Sequence, residues 1–157
     1  MRTVDMIVVS LVAALGAFQA AAADSPRESL ENDFRSTTFS LLYRRAELPP
    51  TLVDYFLARA RDMSAPLVEL LAEPGEEFNP YCVVKHGVPP ARLMFAGSSE
   101  NVTFALFERG GRSHYLTAVL IGSGKLAGER CVYSLPLEHL SISELKERLL
   151  EEDAECN

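Results

Sequence analysis

Apolar residues recur at two different spacings along the chain, and the change of spacing separates helical from extended parts. In residues 30–42 and 52–63 they follow each other at intervals of three and four, which indicates amphipathic helices. From residue 76 to residue 135, short runs of β-branched and aromatic residues alternate with turn residues, which is typical of strands. The helical spacing returns after Leu140, so helices are predicted on both sides of the strands.

Residues with capping chemistry mark the starts of these helices. Residues 25–28 read Ser-Pro-Arg-Glu, which puts Ser at the N-cap, Pro at the first helical position and Glu where it completes a capping box. Residues 141–144 form a second capping box. Pro49 and Pro50 end the first helix, because a residue before proline avoids the helical region. A second helix follows them, and Pro66 either kinks it or begins a third. The helical spacing after Pro66 continues to the turn at Pro74-Gly75.

Five strands are predicted between the helical segments, at Tyr81–Lys85, Arg92–Ala96, Val102–Arg109, Ser113–Ile121 and Arg130–Leu135. The links between them are short, and Gly110-Gly111 suits a two-residue hairpin turn, so the strands should form an antiparallel meander. The predicted fold is therefore α+β: an N-terminal pair of helices or three helices, the meander, and a C-terminal helix packed on the sheet. Residues 24–157 suffice for a single domain of this kind.

The fourth predicted strand is apolar on both of its faces. Its side chains alternate, with Leu116, Ala118 and Leu120 on one face and Tyr115, Val119 and Ile121 on the other. An antiparallel sheet usually leaves one face polar, so either helices cover both faces or one face binds a partner or a second copy. The number of helices in the chain favours cover on both faces.

Residues 1–23 have the pattern of a cleaved secretory signal peptide. A basic start at Arg2 precedes the apolar run Met6–Phe18, whose 13 residues are too few to span a bilayer. Ala21-Ala22-Ala23 supplies small residues at a cleavage site, so we expect the mature protein to begin at Asp24. No later apolar run is long enough for a membrane anchor. The alanine-rich leader indicates a bacterial periplasm or the extracellular space.

Charge and motif content exclude several classes of function. The chain carries 15 basic and 22 acidic side chains, and its net charge of −7 argues against nucleic acid, which binds clustered Lys and Arg. Residues 122–125 read Gly-Ser-Gly-Lys, but the positions around them lack the rest of a phosphate-binding loop. The three histidines show no spacing of a zinc site. We therefore expect neither a cofactor nor a metal.

All three cysteines, Cys82, Cys131 and Cys156, lie beyond the leader, and export exposes them to oxidation. The strand at Cys131 leads into a helix that must double back along it, which returns Cys156 to the level of Cys131 and favours that pair. Cys82–Cys131, Cys82–Cys156 and the absence of any bridge stay open as alternatives. Without a bridge, the acidic stretch 151–155 should fray, because anions are disfavoured at the C-terminal end of a helix.

These features favour an exported non-enzymatic binding module that recognises a protein or envelope component through a face of the sheet. The alternative is a small exported hydrolase in which Cys82 or Cys131 pairs with His114, because a nucleophilic thiol needs a base within hydrogen-bond reach. A third alternative is an envelope subunit that dimerises through Cys82. The state of the thiols separates these hypotheses: a free reactive cysteine beside His114 favours the hydrolase, and a bridged Cys131 favours the module.

Overall fold

The described residues form a single sheet with helices on both of its sides. The computed structural model describes residues 25–60, 65–83 and 85–156, and the predicted signal peptide with its cleavage site lies outside them. The predicted α+β class is confirmed, with an N-terminal helical region, the sheet and a C-terminal helix in that order. None of the described helices is long and apolar enough to cross a membrane.

Four α-helices and six strands are present in the described residues. The helices are α1 (Pro26–Ser36), α2 (Pro50–Leu57), α3 (Leu67–Leu70) and α4 (Ile142–Arg148). The strands are β1 (Leu71–Ala72), β2 (Ala91–Ser98), β3 (Val102–Arg109), β4 (Tyr115–Gly122), β5 (Arg130–Leu135) and β6 (Ala154–Cys156). Their order across the sheet is their order in the chain, and β2 to β5 form the predicted antiparallel meander.

The first strand replaces the end of the predicted third helix. That helix was expected to continue to Pro74, but it ends at Leu70, and the next two residues pair parallel to β2, with Leu71 beside Ala91. Leu71 and Ala72 are fully buried in this position. Burial of two apolar side chains against the sheet therefore outweighs the weak preference of four or five residues for a helical turn.

The acidic C-terminal stretch is held as an edge strand. β6 pairs antiparallel with β5, placing Cys156 opposite Cys131 and Ala154 opposite Tyr133. The Arg27 guanidinium in α1 also donates to the Glu152 carbonyl at 2.7 Å. A covalent bond and several hydrogen bonds outweigh the helix-dipole effect, which amounts to about 0.3–1 kcal/mol at a surface site.

The described residues of Tyr81–Lys85, the segment predicted as the first strand, lie in a loop, and that prediction was wrong. The Asn79 side chain holds the loop: its amide nitrogen donates to the Val83 carbonyl at 2.5 Å, and its oxygen accepts from the Tyr81 N–H at 3.1 Å. Tyr81 meets the sheet through one isolated bridge to Gly111. Side-chain hydrogen bonds thus take the place of a strand ladder, although the residue types suit a strand.

Helices cover the two faces of the sheet unequally. The face toward α1 and α4 carries a continuous apolar core, built from Leu30, Phe34, Phe104, Leu106, Leu116, Ala118, Leu120, Tyr133, Leu145 and Leu149. The other face packs on α2, with a second core of Leu52, Tyr55, Phe56, Leu71, Leu93, Ala105, Phe107 and Val119. The prediction that helices cover both faces of β4 is therefore confirmed for the centre of this strand. On the α2 face, however, Tyr115 and Ile121 stay partly exposed.

Both predicted capping boxes are present. The Ser25 hydroxyl accepts from the Glu28 N–H in α1, and the Ser141 hydroxyl accepts from the Glu144 N–H at 3.3 Å in α4. In each case the glutamate carboxylate accepts from the backbone N–H of the serine, at 2.9 Å and 2.7 Å. The two helices on the main core face therefore begin where their sequences predict. α1 does not continue to Pro49 as predicted: it ends at Ser36, and Leu42 in the following segment pairs with Ala96 of the sheet.

Replacing the cap of α4 should destabilise the protein measurably. Ser141→Ala removes the acceptor of one backbone N–H and half of the capping box, so we expect the free energy of unfolding to fall by about 1 kcal/mol. Ser143→Ala is the matched control, because Ser143 lies exposed inside the first turn and caps nothing. Urea denaturation measures both variants, and equal losses would place the helix start elsewhere.

A buried polar network joins α1 to β5. The Tyr133 hydroxyl donates to the Glu31 carboxylate at 2.8 Å, and Arg27 donates to the same carboxylate oxygen at 2.7 Å. Tyr133 is fully buried and Glu31 is 8% exposed. Burial, together with the neighbouring carboxylate, raises the pKa of the Tyr133 phenol well above its ordinary value. The network therefore depends on a protonated tyrosine.

That raised pKa makes stability dependent on alkaline pH. Above about pH 10, Tyr133 ionises in the unfolded chain but not in the native one, so the unfolded chain binds fewer protons. The free energy of unfolding should then fall by up to about 1.4 kcal/mol per pH unit. Tyr133→Phe should remove this share of the slope, whereas Tyr81→Phe, on an exposed side chain, should not. Denaturant unfolding at pH 9–11 measures this dependence of the free energy of unfolding on pH. All variants carry Cys82→Ser, which prevents thiol exchange.

Candidate functional site

The cysteines are divided between one bridge and one free thiol. Cys131 and Cys156 are disulfide-bonded, with 2.06 Å between their sulfur atoms, which is the pairing that the sequence geometry favours. Cys131 is fully buried between α4 and the sheet. A sulfur in a disulfide is not a nucleophilic thiol, so of the two cysteines considered for a Cys–His pair, only Cys82 carries a free thiol.

Cys82 and His114 lie near the same hairpin but have different partners. Cys82 is exposed on the loop that Asn79 holds, and its thiol donates to the Gly111 carbonyl at 2.9 Å. His114 is exposed just before β4, with its ring 5.6 Å from the ring of Phe78. In the described ranges, no hydrogen bond joins Cys82 to His114. The predicted first strand, which would have held Cys82, is absent here, and the loop leaves the Cys82 thiol exposed to solvent.

The reactivity of Cys82 should be nearly independent of His114. The thiol hydrogen-bonds to a backbone carbonyl, which cannot take up a proton, so it lacks the adjacent base that activates a nucleophile. We expect His114→Ala to change the rate of Cys82 alkylation by iodoacetamide at pH 7 less than about twofold. A tenfold fall in that rate would show that the imidazole activates the thiol, and would revive the hydrolase hypothesis.

Acidic and histidine side chains do not gather into a metal centre within residues 25–60, 65–83 and 85–156. A surface depression of about 250 Å³ lies beside α4. Four glutamates line it, together with His139, Leu140 and Arg148. It is open to solvent, and carboxylates on an exposed helix are an ordinary solvated surface.

A second group of polar side chains meets on the α2 face of the sheet. We call it the arginine–tyrosine patch, and it consists of Tyr55, Arg59, Arg109, Tyr115 and Arg130. Tyr55 and Arg59 are one helical turn apart at the end of α2, and the Arg59 guanidinium carbon lies 3.8 Å from the centre of the Tyr55 ring. Arg109 and Tyr115 are directly opposite each other on β3 and β4.

Three guanidinium groups act on one buried phenol in this patch. Tyr55 is 5% exposed, and burial raises the pKa of its phenol. The charges of Arg59, Arg109 and Arg130 oppose that rise, whereas the Tyr115 phenol adds to it. The arginines therefore lie within electrostatic reach of the Tyr55 hydroxyl, although they come from the turn after α2, from β3 and from β5.

Two of these arginines differ from most other basic residues of the protein. Elsewhere, Arg27, Arg45, Arg92 and Arg148 each form an ion pair with a glutamate at the surface or in the core. Arg59 and Arg109, by contrast, have no carboxylate partner within 4 Å among the described residues. In a chain with an excess of acidic side chains, two cations that have no carboxylate partner among residues 25–60, 65–83 and 85–156 give that face a local positive charge.

A buried hydroxyl beside the patch also lacks a partner. Thr117 is two residues from Tyr115 on β4 and opposite Phe107 on β3, so it faces α2. It is 3% exposed, and its hydroxyl oxygen has no hydrogen-bond partner in the described part of the chain. A buried hydroxyl without a partner costs about 1–3 kcal/mol.

The patch borders a part of the sheet that α2 does not cover. α2 packs chiefly on β3, which leaves the α2 face of β4 and β5 partly accessible. Ile121 and Val132 are partly exposed there, and Ser134 is exposed. We call these three residues the open strip. Its position next to the patch places apolar surface beside clustered cations, which is the usual composition of a recognition surface.

Sequence reasoning missed the patch, although parts of its pattern were visible. Tyr55 and Arg59 are four residues apart on a predicted helix, and Arg109 and Tyr115 flank the predicted Gly110-Gly111 turn. Those spacings predict contacts within each element. They do not say that α2 lies on this face of the sheet, and only that placement brings the two pairs together.

Comparison with protein-family models, with curated proteins and with solved structures finds no match for this chain. The function must therefore be argued from the surface of the protein itself.

Proposed function

We propose that the protein is an exported, non-enzymatic binding module that recognises a protein or envelope component through the α2 face of its sheet. Export is supported by the leader pattern of residues 1–23 and by the Cys131–Cys156 bridge, since disulfides persist in oxidising compartments. The bacterial periplasm or the extracellular space is the proposed location.

The observation that carries the binding proposal is the unequal cover of the sheet. Side chains of β4 that face α1 and α4 are fully buried, whereas on the α2 face the open strip and Tyr115 keep apolar surface in contact with water. A partner that covers Ile121 and Val132 would bury the apolar surface of this face, as α1 and α4 bury that of the opposite face. The absence of a hydrogen bond between Cys82 and His114 in the described residues removes the main support for the hydrolase alternative.

Chemical crosslinking of the mature protein in its own envelope fraction tests the proposal. We expect one adduct that saturates as the protein concentration rises. Val132→Asp should abolish it, because a charge in the open strip opposes burial of the partner's apolar surface. Ser143→Asp is the control, since it adds the same charge to the exposed side of α4. Equal adducts with Val132→Asp and wild type would contradict the proposal.

A dimer linked through Cys82 stays a prediction. The thiol is exposed between two large exposed side chains, Tyr81 at 75% and Val83 at 78%. This arrangement is compatible with a contact between two copies, and electrophoresis under non-reducing conditions distinguishes it from a monomer.

A further inference from the structure

Two apolar side chains project from the loop beside the turn between β3 and β4. Tyr81 and Val83 are 75% and 78% exposed, the highest values among the large apolar side chains of residues 25–60, 65–83 and 85–156. They are two residues apart, so they present apolar surface at one place. Apolar surface that projects together in this way, unlike scattered single residues, indicates a surface that binds a partner or a membrane.

The backbone that presents this pair is held against the β3–β4 turn. The Asn79 side chain donates to the Val83 carbonyl at 2.5 Å and accepts from the Tyr81 N–H at 3.1 Å. On the turn, the Gly111 N–H donates to the Pro80 carbonyl at 3.3 Å, and Gly111 forms an isolated bridge with Tyr81. Because the segment is ordered before a ligand arrives, binding costs little backbone entropy.

The surroundings of the pair are basic, although the whole chain is acidic. Residues 78–91 and 109–115 contain no aspartate or glutamate, but they include Lys85, Arg109 and Arg112. Lys85 forms an ion pair with Glu77 at 2.8 Å. Arg109 and Arg112 are exposed, and neither has a carboxylate within 4 Å in the part of the chain that the structure describes. Arg112 follows Gly111 directly, so its charge lies beside the apolar pair.

The glutamates nearest in sequence do not cancel this charge, because they already have basic partners. Glu76 pairs with Arg45, and Glu108 pairs with Arg92. Much of the acidic surplus lies elsewhere: residues 138–155, which include α4 and most of β6, carry six glutamates and one aspartate but only two basic residues. Positive and negative charges are therefore segregated, and the loop beside the β3–β4 turn has a local positive potential.

This composition favours an anionic lipid surface over a protein partner. A projecting side chain needs a pocket to receive it on a protein, whereas the fluid surface of a bilayer adapts to it. Tyrosine is amphipathic and is enriched where membranes meet water. Each arginine or lysine near an anionic leaflet strengthens binding about fivefold, through attraction to the headgroups.

We infer that Tyr81, Val83 and Arg112, which we call the loop tip, bind the anionic surface of a membrane. Tyr81 and Val83 enter the boundary between headgroups and acyl chains, and Arg112 lies among the headgroup phosphates with Arg109 nearby. The loop tip is separate from the open strip. It is therefore a second binding surface, and it does not depend on the function proposed for the α2 face.

Cosedimentation with lipid vesicles tests the inference. The mature protein carries Cys82→Ser, which prevents covalent dimers, and is mixed with vesicles of phosphatidylcholine alone or with an equal part of phosphatidylglycerol. We expect binding to the anionic vesicles to be at least about fivefold stronger, and to weaken as salt screens the attraction. Equal binding to the two kinds of vesicle, or no binding to either, would overturn the inference.

Matched apolar substitutions show whether the loop tip makes the contact. Tyr81→Ala should weaken binding to the anionic vesicles about tenfold, because a large apolar side chain no longer leaves water. Leu150→Ala is the control: Leu150 is 50% exposed, but Glu151 and Glu152 follow it. Its vesicle binding should match that of the parent protein. Equal binding by Tyr81→Ala and the parent would show that another surface contacts the lipid, which contradicts the inference.

Substitutions of Arg112 test the electrostatic part. Arg112→Ala should weaken binding about fivefold, whereas Arg112→Lys should bind as the parent does, because the attraction to headgroups depends on charge. A loss in Arg112→Lys as large as that in Arg112→Ala would indicate recognition of one oxyanion by the arginine fork, and would overturn the inference.

Envelope membranes treated with protease distinguish a lipid from a protein partner. Binding of the mature protein to these membranes should survive the treatment and should still weaken in Tyr81→Ala. Binding that depends on Tyr81 but disappears after protease treatment would assign the loop tip to a protein partner and overturn the lipid inference. Neither result bears on the crosslink through Val132, so the two proposals can fail separately.

Discussion

Replacing Phe104 by alanine should lower the free energy of unfolding by about 4 kcal/mol, the largest loss expected from any single substitution considered for this protein. Phe104 lies on β3, is fully buried, and contacts three other phenyl rings: Phe34 and Phe39 at 4.9 Å and 4.8 Å between centroids, and Phe95 at 6.1 Å. Its removal leaves a cavity where a helix, a loop and two strands meet, and edge-to-face ring contacts are lost with it.

Urea denaturation of the Phe104→Ala variant measures this loss. Tyr81→Ala is the control, because Tyr81 is 75% exposed and its truncation should change stability by less than about 0.5 kcal/mol. A loss below about 1.5 kcal/mol for Phe104→Ala would mean that α1 does not pack on β3 as described.

Opening the Cys131–Cys156 bridge should cost about 3.5 kcal/mol. The two cysteines are 25 residues apart in sequence, and the chain-entropy treatment of a loop of that length gives this value. The loss should appear first at the C-terminal edge, because β6 has only three residues and pairs with β5 alone. In hydrogen–deuterium exchange, amides of residues 154–156 should lose protection before those of β3 and β4.

A double variant, Cys131→Ala with Cys156→Ala, isolates the bridge from other effects of reducing agents. Cys82→Ser is the matched control, since it removes an exposed thiol that takes no part in the bridge. We expect the double variant to unfold at lower denaturant concentration and the control to match wild type. Identical stability of all three proteins would show that the bridge does not hold the terminal strand.

Local chemistry predicted much of the fold. The capping boxes at Ser25 and Ser141 fixed the helix starts, because N-cap hydrogen bonds involve residues only three apart. Strand alternation placed Leu116 and Val119 on opposite faces of β4. The predicted oxidising compartment and a helix that doubles back along the strand of Cys131 favoured the Cys131–Cys156 pair. Each of these features depends on neighbours in sequence or on one reversal of the chain.

The features that were missed depend on contacts between distant segments. Leu71 pairs with Ala91 across a long loop, and no local pattern distinguishes two apolar residues at the end of a helix from a short parallel strand. Tyr81–Lys85 has strand-like residues, but the Asn79 side chain satisfies the backbone of this loop. The arginine–tyrosine patch needs α2, β3 and β5 together, so it appears only when the helix is placed on the sheet.

Site-directed photocrosslinking tests most directly the claim that the α2 face is the binding surface. A benzophenone amino acid is placed at Ser134, which is exposed on that face, or at Glu147, which is exposed on α4 behind the opposite face. After irradiation in the protein's own envelope fraction, we expect one saturable adduct from position 134 and none from position 147. An adduct from position 147 alone, or equal adducts from both positions, would contradict the account.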